Sequence, residues 1–282
     1  MLRGHRKILN KRINIMASYL VIGTYLVFSI LPLFFMITTA FKIPVDSFAI
    51  PPKFLSVTWT FENFVEVFQK QQIYPVFLNS VIIALLTVIF SVALGCLGGY
   101  GLARFDFKGK NQLSFFIMIM RMLPAVALLL PVYVMYNLLS LYNTRIGLVL
   151  LYTAFNLPFI TWFLWSFVQT VPHELEEAAF VEGLNRLGTF IRVTLPLMRG
   201  GIIAAAILSF ATSWNEFIFA LVLTDLPCRT LPVLTASFIG QRAVYWGRMC
   251  ALGTIVLVPI LLLTAIAQKH ITSGLTLGAI KN

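Results

Sequence analysis

The sequence predicts an all-α membrane protein with six transmembrane helices. Hydrophobic residues make up 59% of the 282 positions and charged residues only 11%, against about 25% charged in ordinary soluble domains. The apolar residues also gather in six runs, each long enough to cross roughly 30 Å of hydrocarbon at 1.5 Å per residue. A soluble fold could not cover that surface with so few charges, so the solvent is the lipid bilayer. The net charge of +11 then reads by position along the chain rather than as a footprint for nucleic acid, and no nucleic-acid partner is expected.

Residues 1–14 hold Arg3, Arg6, Lys7, Lys11 and Arg12 and form a basic N-terminal segment. The apolar run that follows, about Ile15 to Ile37, is too long for a signal peptide and lacks a small-residue cleavage site, so it reads as a retained span within residues 15–41. Residues 42–74, with Pro44, Pro51, Pro52 and Trp59, are too polar to cross and predict an outside loop with a short helix near Glu62–Gln69. The core, residues 75–269, carries the other spans at about 75–101, 114–138, 146–169, 199–223 and 248–268. Residues 270–282 form a tail.

Lys and Arg decide the orientation. With the N-terminus inside, the inner segments hold the five basic residues of 1–14, then Arg104, Lys108, Lys110, Arg186, Arg192, Arg199, Lys269 and Lys281. The outer segments hold Lys42, Lys53, Lys70, Arg145, Arg229, Arg242 and Arg248, and Arg121 lies within a span. The excess inside places both termini in the cytoplasm.

Pro124, Pro131, Pro158 and Pro259 fall inside predicted spans. They mark either packing irregularities or bent helices lining a pathway. Gly95, Gly98, Gly99 and Gly101 suit close helix approach. Cys96 reads as a small packing residue. Cys228 and Cys250 fall near one predicted membrane face, which leaves a disulfide between them open. The sequence has no Cys/His cluster with metal-ligand spacing, so no metal is expected. His5, His173 and His270 sit in polar segments and read as solvated residues.

The most polar interruption of the C-terminal half is residues 172–197. Pro172 suits a helix start, and Glu174, Glu176 and Glu177 then fall in the first turns, where the helix dipole favours carboxylates. Ala178 and Ala179 are good helix formers. Gly183 is placed to end the helix in a left-handed conformation. A second short helix is predicted from about Arg186 to Val193, stopping near Leu195 because the residue before Pro196 is disfavoured in helical geometry. Phe180, Leu184 and Leu187 form an apolar stripe fit for a partner's groove. The plainer alternative is an amphipathic connector resting on the membrane.

The spacing here carries more than its physics. Glu177-Ala178-Ala179, three residues, Gly183, nine residues, then Val193-Thr194-Leu195-Pro196 resembles the signature loop of membrane permease subunits of bacterial ABC importers. Asn79-Ser80, Tyr100-Gly101-Leu102-Ala103-Arg104-Phe105, Trp214-Asn215-Glu216-Phe217 and the run Gly274–Lys281 are similar to the carbohydrate branch, and within it to the six-span subunit of maltose-type pairs. Val193 stands where isoleucine is usual, Glu182 where aspartate is common, and Arg199-Gly200-Gly201 where many relatives place a proline.

The resemblance implies a type I ABC importer transmembrane fold with a coupling helix that inserts into an ATPase subunit. It implies docking by Glu177, Ala178, Ala179, Phe180, Gly183, Leu184, Leu195 and Pro196. It implies as partners a second permease subunit, two copies of the ATPase subunit and an extracytoplasmic solute-binding protein. ATP and Mg would be used by the ATPase: this chain has no phosphate-binding Gly-x-x-x-x-Gly-Lys motif, no cofactor is expected on it, and it is not itself an enzyme. The tail from Gly274 either reaches the ATPase interface, as in such relatives, or is an unstructured end.

Trp214, Asn215 and Glu216, with Asn156 and Pro158, are the candidates for the substrate pathway or its gating. A charge inside a span is costly and faces protein or water, so Glu216 either lines the cavity or ties helices together, with Arg121 as one partner. A secondary transporter would need more paired intramembrane charges than Glu216 and Arg121 offer, and a scaffold would need no such loop. Among importers, cargo of another class (polyamine, phosphonate, amino acid) stays open.

Overall fold

The computed structural model describes residues 2–56, 58–70, 73–240 and 244–279, with side chains from Ile15 onward except those of Lys70 and residues 267–279. The regular elements among the described residues are all helices, with two isolated bridges besides, and the residues form two compact units.

The first unit comprises residues 1–71 and 238–255. Helix α1 (Leu2–Ala40) continues through Pro32, and its segment Ile15–Ala40 is long and apolar enough to span. After it the chain makes one turn, α2 (Pro44–Ser47), and then α3 (Glu62–Lys70). The loop between them is folded. Lys42 is 1% exposed, donates to Thr39 Oγ1 at 3.3 Å and to the Lys53 carbonyl, and lies over the Phe35 ring at 4.4 Å. Burial pushes its pKa down. Lys53 pairs with Asp46 at 2.6 Å, and Ser56 donates to the same carboxylate. The hydrogen bond from Lys53, followed by that from Ser56, holds the Asp46 carboxyl below its usual range. Asn63 donates to the carbonyls of Ala40 and Lys42 at 3.0 and 2.8 Å, tying α3 to the end of α1.

The second unit comprises residues 72–237 and 256–282. Its helices are α4 (Ile73–Arg104), α5 (Lys110–Met120), α6 (Ala125–Leu138), α7 (Arg145–Val168), α8 (His173–Val181), α9 (Arg186–Thr189), α10 (Leu195–Leu197), α11 (Arg199–Trp214), α12 (Ile218–Leu223) and α13 (Leu231–Ala236). Helix α14 (Trp246–Ala279) runs from the first unit into the second. Helices α4 and α7 pack side by side, and glycine allows it. A Cβ on Gly99 would lie 2.8 Å from the Trp165 backbone nitrogen, and one on Gly98 would lie 3.0 Å from Thr161. Gly95 meets Ile160 in the same way, whereas Gly101 has nothing within 4 Å. The buried residues Cys96, Tyr100, Ile160, Leu164, Val168 and Phe190 form one apolar cluster of this unit.

Among the described residues four helices are long and apolar enough to cross a bilayer, or up to six if each of two bent pairs, Lys110–Met120 with Ala125–Leu138 and Arg186–Leu197 with Arg199–Trp214, counts as one span. The bends correct three expectations. The run 114–138 is not one helix: α5 and α6 meet at 94° across residues 121–124, because Pro124 offers no N–H and Leu123 before it avoids helical geometry. Pro131, Pro158 and Pro259 are carried inside their helices. The run 199–223 breaks after Trp214 into α11 and α12. The arm after Arg186 does not stop near Leu195. A π-turn over Phe190–Thr194 leads into α10, Leu195 stays helical at φ −58°, ψ −47°, and the 78° bend falls at Met198. The wider π-turn, whose N–H at Leu195 reaches back to Phe190, seats Pro196 inside the arm. All three cysteines are free, so Cys228 and Cys250 form no disulfide. Cys228 instead lies 3.0 Å from the Asn143 carbonyl, and burial raises its pKa.

Candidate functional site

Residues 172–197 fold as two short helices joined by a tight turn. Pro172 caps α8 with extended dihedrals (φ −58°, ψ 135°). The helix ends at Gly183, whose φ of +88° is left-handed. Leu184 N–H donates to the Ala179 carbonyl and Gly183 N–H to the Phe180 carbonyl, both at 3.0 Å. These two crossed bonds form the glycine-terminated cap. Asn185 then starts the second arm, its Oδ1 accepting from Gly188 N at 2.7 Å.

What holds this hairpin is a buried carboxylate. Glu176 Oε1 accepts from Arg104 Nε at 3.0 Å and from Thr194 Oγ1 at 2.8 Å, and Oε2 accepts from Tyr100 OH at 3.3 Å. The Glu176 and Arg104 side chains are 4% and 3% exposed. Arg104 also donates to the carbonyls of Val168 and Val171 at 3.1 and 2.8 Å and meets His173 Nε2 at 3.3 Å. One ion pair therefore joins the end of α4, the end of α7, α8 and the π-turn. A push on α8 reaches the ends of two membrane helices through it. Sequence reasoning missed this pair, and a lone arginine closing a span and a lone first-turn glutamate give no signal of meeting.

The eight docking candidates separate. Glu177, Ala178, Phe180, Gly183 and Pro196 are exposed, and Leu184 and Leu195 are half-buried. Ala179 is the correction: at 5% exposure it faces the chain's own interior. Its small side chain sits where α8 meets the chain, leaving no surface for a partner. Val181, at 90% exposure, and Leu187 extend the apolar surface instead. Arg186 lies over the rings of Phe105 and Phe180 at 5.0 and 5.8 Å.

The pathway candidates separate too. A recess of about 290 Å³ is lined by Arg121, Leu123, Tyr152, Phe155, Asn156, Thr212, Ser213 and Glu216, with Ala125 and Phe219. Glu216 and Asn156 thus face a cavity. Glu216 does double duty there, accepting from Tyr152 OH at 2.6 Å and from the N–H groups of Phe219 and Ala220 at 2.8 and 3.1 Å. It caps α12 and ties it to α7. It forms no ion pair with Arg121. Asn156 is held by Thr212 Oγ1 at 2.5 Å and reaches Ser213 Oγ at 3.2 Å. Pro158 lines an adjoining apolar recess with Arg121, Phe159 and Trp162.

Trp214 does not line this recess. It is 1% exposed, stacks on Phe210 at 5.3 Å and donates Nε1–H to the Val256 carbonyl at 3.1 Å. A large ring with one polar atom is placed most stably in packed surroundings with that atom bonded. Asn215 is exposed and turns back to the Ala211 carbonyl at 2.9 Å. Tyr152, Thr212 and Ser213 were not singled out in sequence, because isolated hydroxyls in a span carry no pattern. The side chains of the tail from Gly274 lie outside the described residues.

Comparison with known proteins agrees with this layout. The profile of the family described as binding-protein-dependent transport system inner membrane component matches residues 92–276. The chain is 31% identical over 277 residues to the inner membrane ABC transporter permease protein YcjP of Escherichia coli (strain K12), covering 96% of this chain and 99% of that one. It is 34% identical over 269 residues to the diacetylchitobiose uptake system permease protein DasC of Streptomyces coelicolor, covering 95% and 96%. It is 35% identical over 246 residues to the trehalose/maltose transport system permease protein MalG of Thermococcus litoralis, covering 84% and 88%. In fold it matches a chain of a bacterial ABC transporter involved in the import of the acidic polysaccharide alginate, with a TM-score of 0.75 at 18% identity over 92% of this chain and 96% of that one. The chain belongs to the family of binding-protein-dependent transport system inner membrane components and is an ABC importer permease.

Proposed function

We propose that this chain forms half of the pathway of an ATP-driven importer for a carbohydrate: a sugar, an oligosaccharide, or a sugar-like polyol or glycerophosphate. Relatives named for diacetylchitobiose and for trehalose/maltose support the cargo class. A second permease subunit completes the pathway. Two copies of an ATPase subunit, which use ATP and Mg, sit at the cytoplasmic face, and a solute-binding protein delivers cargo from outside. Both termini are cytoplasmic, as the Lys/Arg distribution favours.

The observation that carries the reading is the α8 hairpin, exposed on Glu177, Ala178, Phe180, Gly183 and Pro196 and anchored through Glu176 to the membrane helices. An exposed arm on a buried lever is what a transducer needs, because closure of the ATPase dimer must move the spans between two arrangements. The lining of Asn156, Thr212, Ser213 and Glu216 suits sugar hydroxyls, which both donate and accept. The reading is tested by tagging this chain, purifying it in mild detergent with its co-expressed neighbours, and measuring uptake. Co-purification of an ATPase subunit, and loss of uptake in Gly183→Asp, are expected. Purification without an ATPase together with unimpaired uptake by the variant contradicts the reading.

A further inference from the structure

The membrane cavity holds one cation whose donors are unused. Arg121 sits at the break between α5 and α6 and lines both the polar recess and the apolar one beside it. Its guanidinium lies over the Phe159 ring, 4.2 Å from the centroid. Among the described residues it makes no hydrogen bond and no ion pair.

Its depth follows from α7. That helix has 24 residues and rises about 36 Å, with Phe159 about 21 Å from the first residue and about 14 Å from the last. The guanidinium therefore lies along the spanning length of α7 rather than at either of its ends. A cation held within the spanning region is costly and is kept where it faces protein or a water-filled cavity.

The carboxylate that lines the same recess forms no ion pair with it. Both oxygens of Glu216 are occupied by Tyr152 and by the first N–H groups of α12. Stacking on Phe159 leaves the edge of the guanidinium free. That edge is a planar fork of N–H donors, which fits a carboxylate, phosphate or sulfonate through two parallel bonds. Asn156, Thr212 and Ser213 line the same cavity as a bonded cluster, and its exposed member Thr212 can still accept from a hydroxyl.

We propose that Arg121 is an anion-binding site of the pathway, so that the cargo is an acidic carbohydrate whose charged group is held by Arg121 while its hydroxyls meet Asn156, Thr212 and Ser213. This rests on the carbohydrate reading above and narrows it. It assigns the role of charge reader to a residue at a helix break rather than to Glu216.

The test uses the complete importer, with its co-expressed permease and ATPase subunits, in lipid nanodiscs. Binding is measured for cellobiose, for cellobiouronic acid, which adds one carboxylate, and for succinate, an anion without a sugar ring. The wild type is expected to bind cellobiouronic acid about tenfold or more tighter than cellobiose, and Arg121→Gln is expected to bind the two equally. Equal binding by the wild type, or an anion preference that survives Arg121→Gln, overturns the proposal. If succinate binds through Arg121 while neither sugar binds, the anion site stands and the carbohydrate reading fails. If cellobiose alone binds, the carbohydrate reading stands and the anion site fails. A partner permease carboxylate as the true mate of Arg121 is recognised by size-exclusion chromatography: the Arg121→Gln complex is expected to stay assembled, and its dissociation overturns the proposal.

Discussion

Replacing Glu176 by alanine leaves the Arg104 guanidinium buried without its counter-charge. Breaking a buried ion pair from one side costs about 3–5 kcal/mol. Arg104 keeps its bonds to the carbonyls of Val168 and Val171, so the lower figure, about 3 kcal/mol, applies. The loss is local, because Glu176 links α8 and the π-turn to helices that are otherwise well packed. At 1.4 kcal/mol per factor of ten, amide exchange in α8 should speed up about a hundredfold. The assay is hydrogen–deuterium exchange on the purified importer, following peptides that cover 173–181 against peptides from the α4–α7 contact. Arg104→Met supplies the control. In the Glu176→Ala background it removes the orphaned charge, so the double variant should exchange more slowly than Glu176→Ala alone. A speed-up below about threefold in α8, or a double variant whose loss is the sum of the single ones, would refute the idea that this pair is the anchor.

Other consequences follow from the same geometry. Gly99→Ala should lower thermal stability by about 1–3 kcal/mol, since its Cβ would meet the Trp165 backbone nitrogen at 2.8 Å. Gly101→Ala, with nothing within 4 Å, should be neutral or slightly stabilising, and a thermal melt of the two variants separates them. Gly183→Ala should destabilise the turn by roughly 1–2 kcal/mol, because the left-handed backbone at φ +88° disfavours a Cβ; faster exchange at residues 182–185 would show it. The Asp46 carboxyl is held below its usual range, so its stabilisation of the 42–56 loop is present above the unfolded value near 3.8 and lost as pH falls through the lower folded value. Exchange in that loop should therefore rise below about pH 4, and Asp46→Asn, already loosened, should show no such step.

Much of the fold was legible because lipid imposes a simple rule. Apolar runs of about twenty residues must be helices, and the runs near 15–37, 75–101, 146–169 and 248–268 appear as continuous helices. The breaks were less legible. Pro32, Pro131, Pro158 and Pro259 are carried inside helices while Pro124 stands at a break, because whether a proline breaks or merely bends depends on neighbours that re-satisfy the freed carbonyls. Leu195 stays helical before Pro196 because the π-turn makes room, and local propensity does not encode that turn. The hairpin over residues 172–197 was legible from Pro172 and Gly183, since both act through their own backbone. Glu176 was not, since its role depends on Arg104 lying 72 residues away in sequence. Trp214 was misread for a related reason: an aromatic in a span looks the same facing a cavity or a core, and only the Val256 carbonyl and the Phe210 ring decide.

The central claim is that α8 and its following arm are the contact through which an ATPase subunit drives this chain. A photo-crosslinking residue placed at Val181, exposed to 90% on α8, tests it directly, with Ile239, 62% exposed in the other unit, as the control. Irradiation of the membrane-embedded importer should give an adduct between this chain and the ATPase subunit from position 181 and none from position 239. Equal adducts from both positions, or none from position 181 in an importer that hydrolyses ATP, would contradict the account.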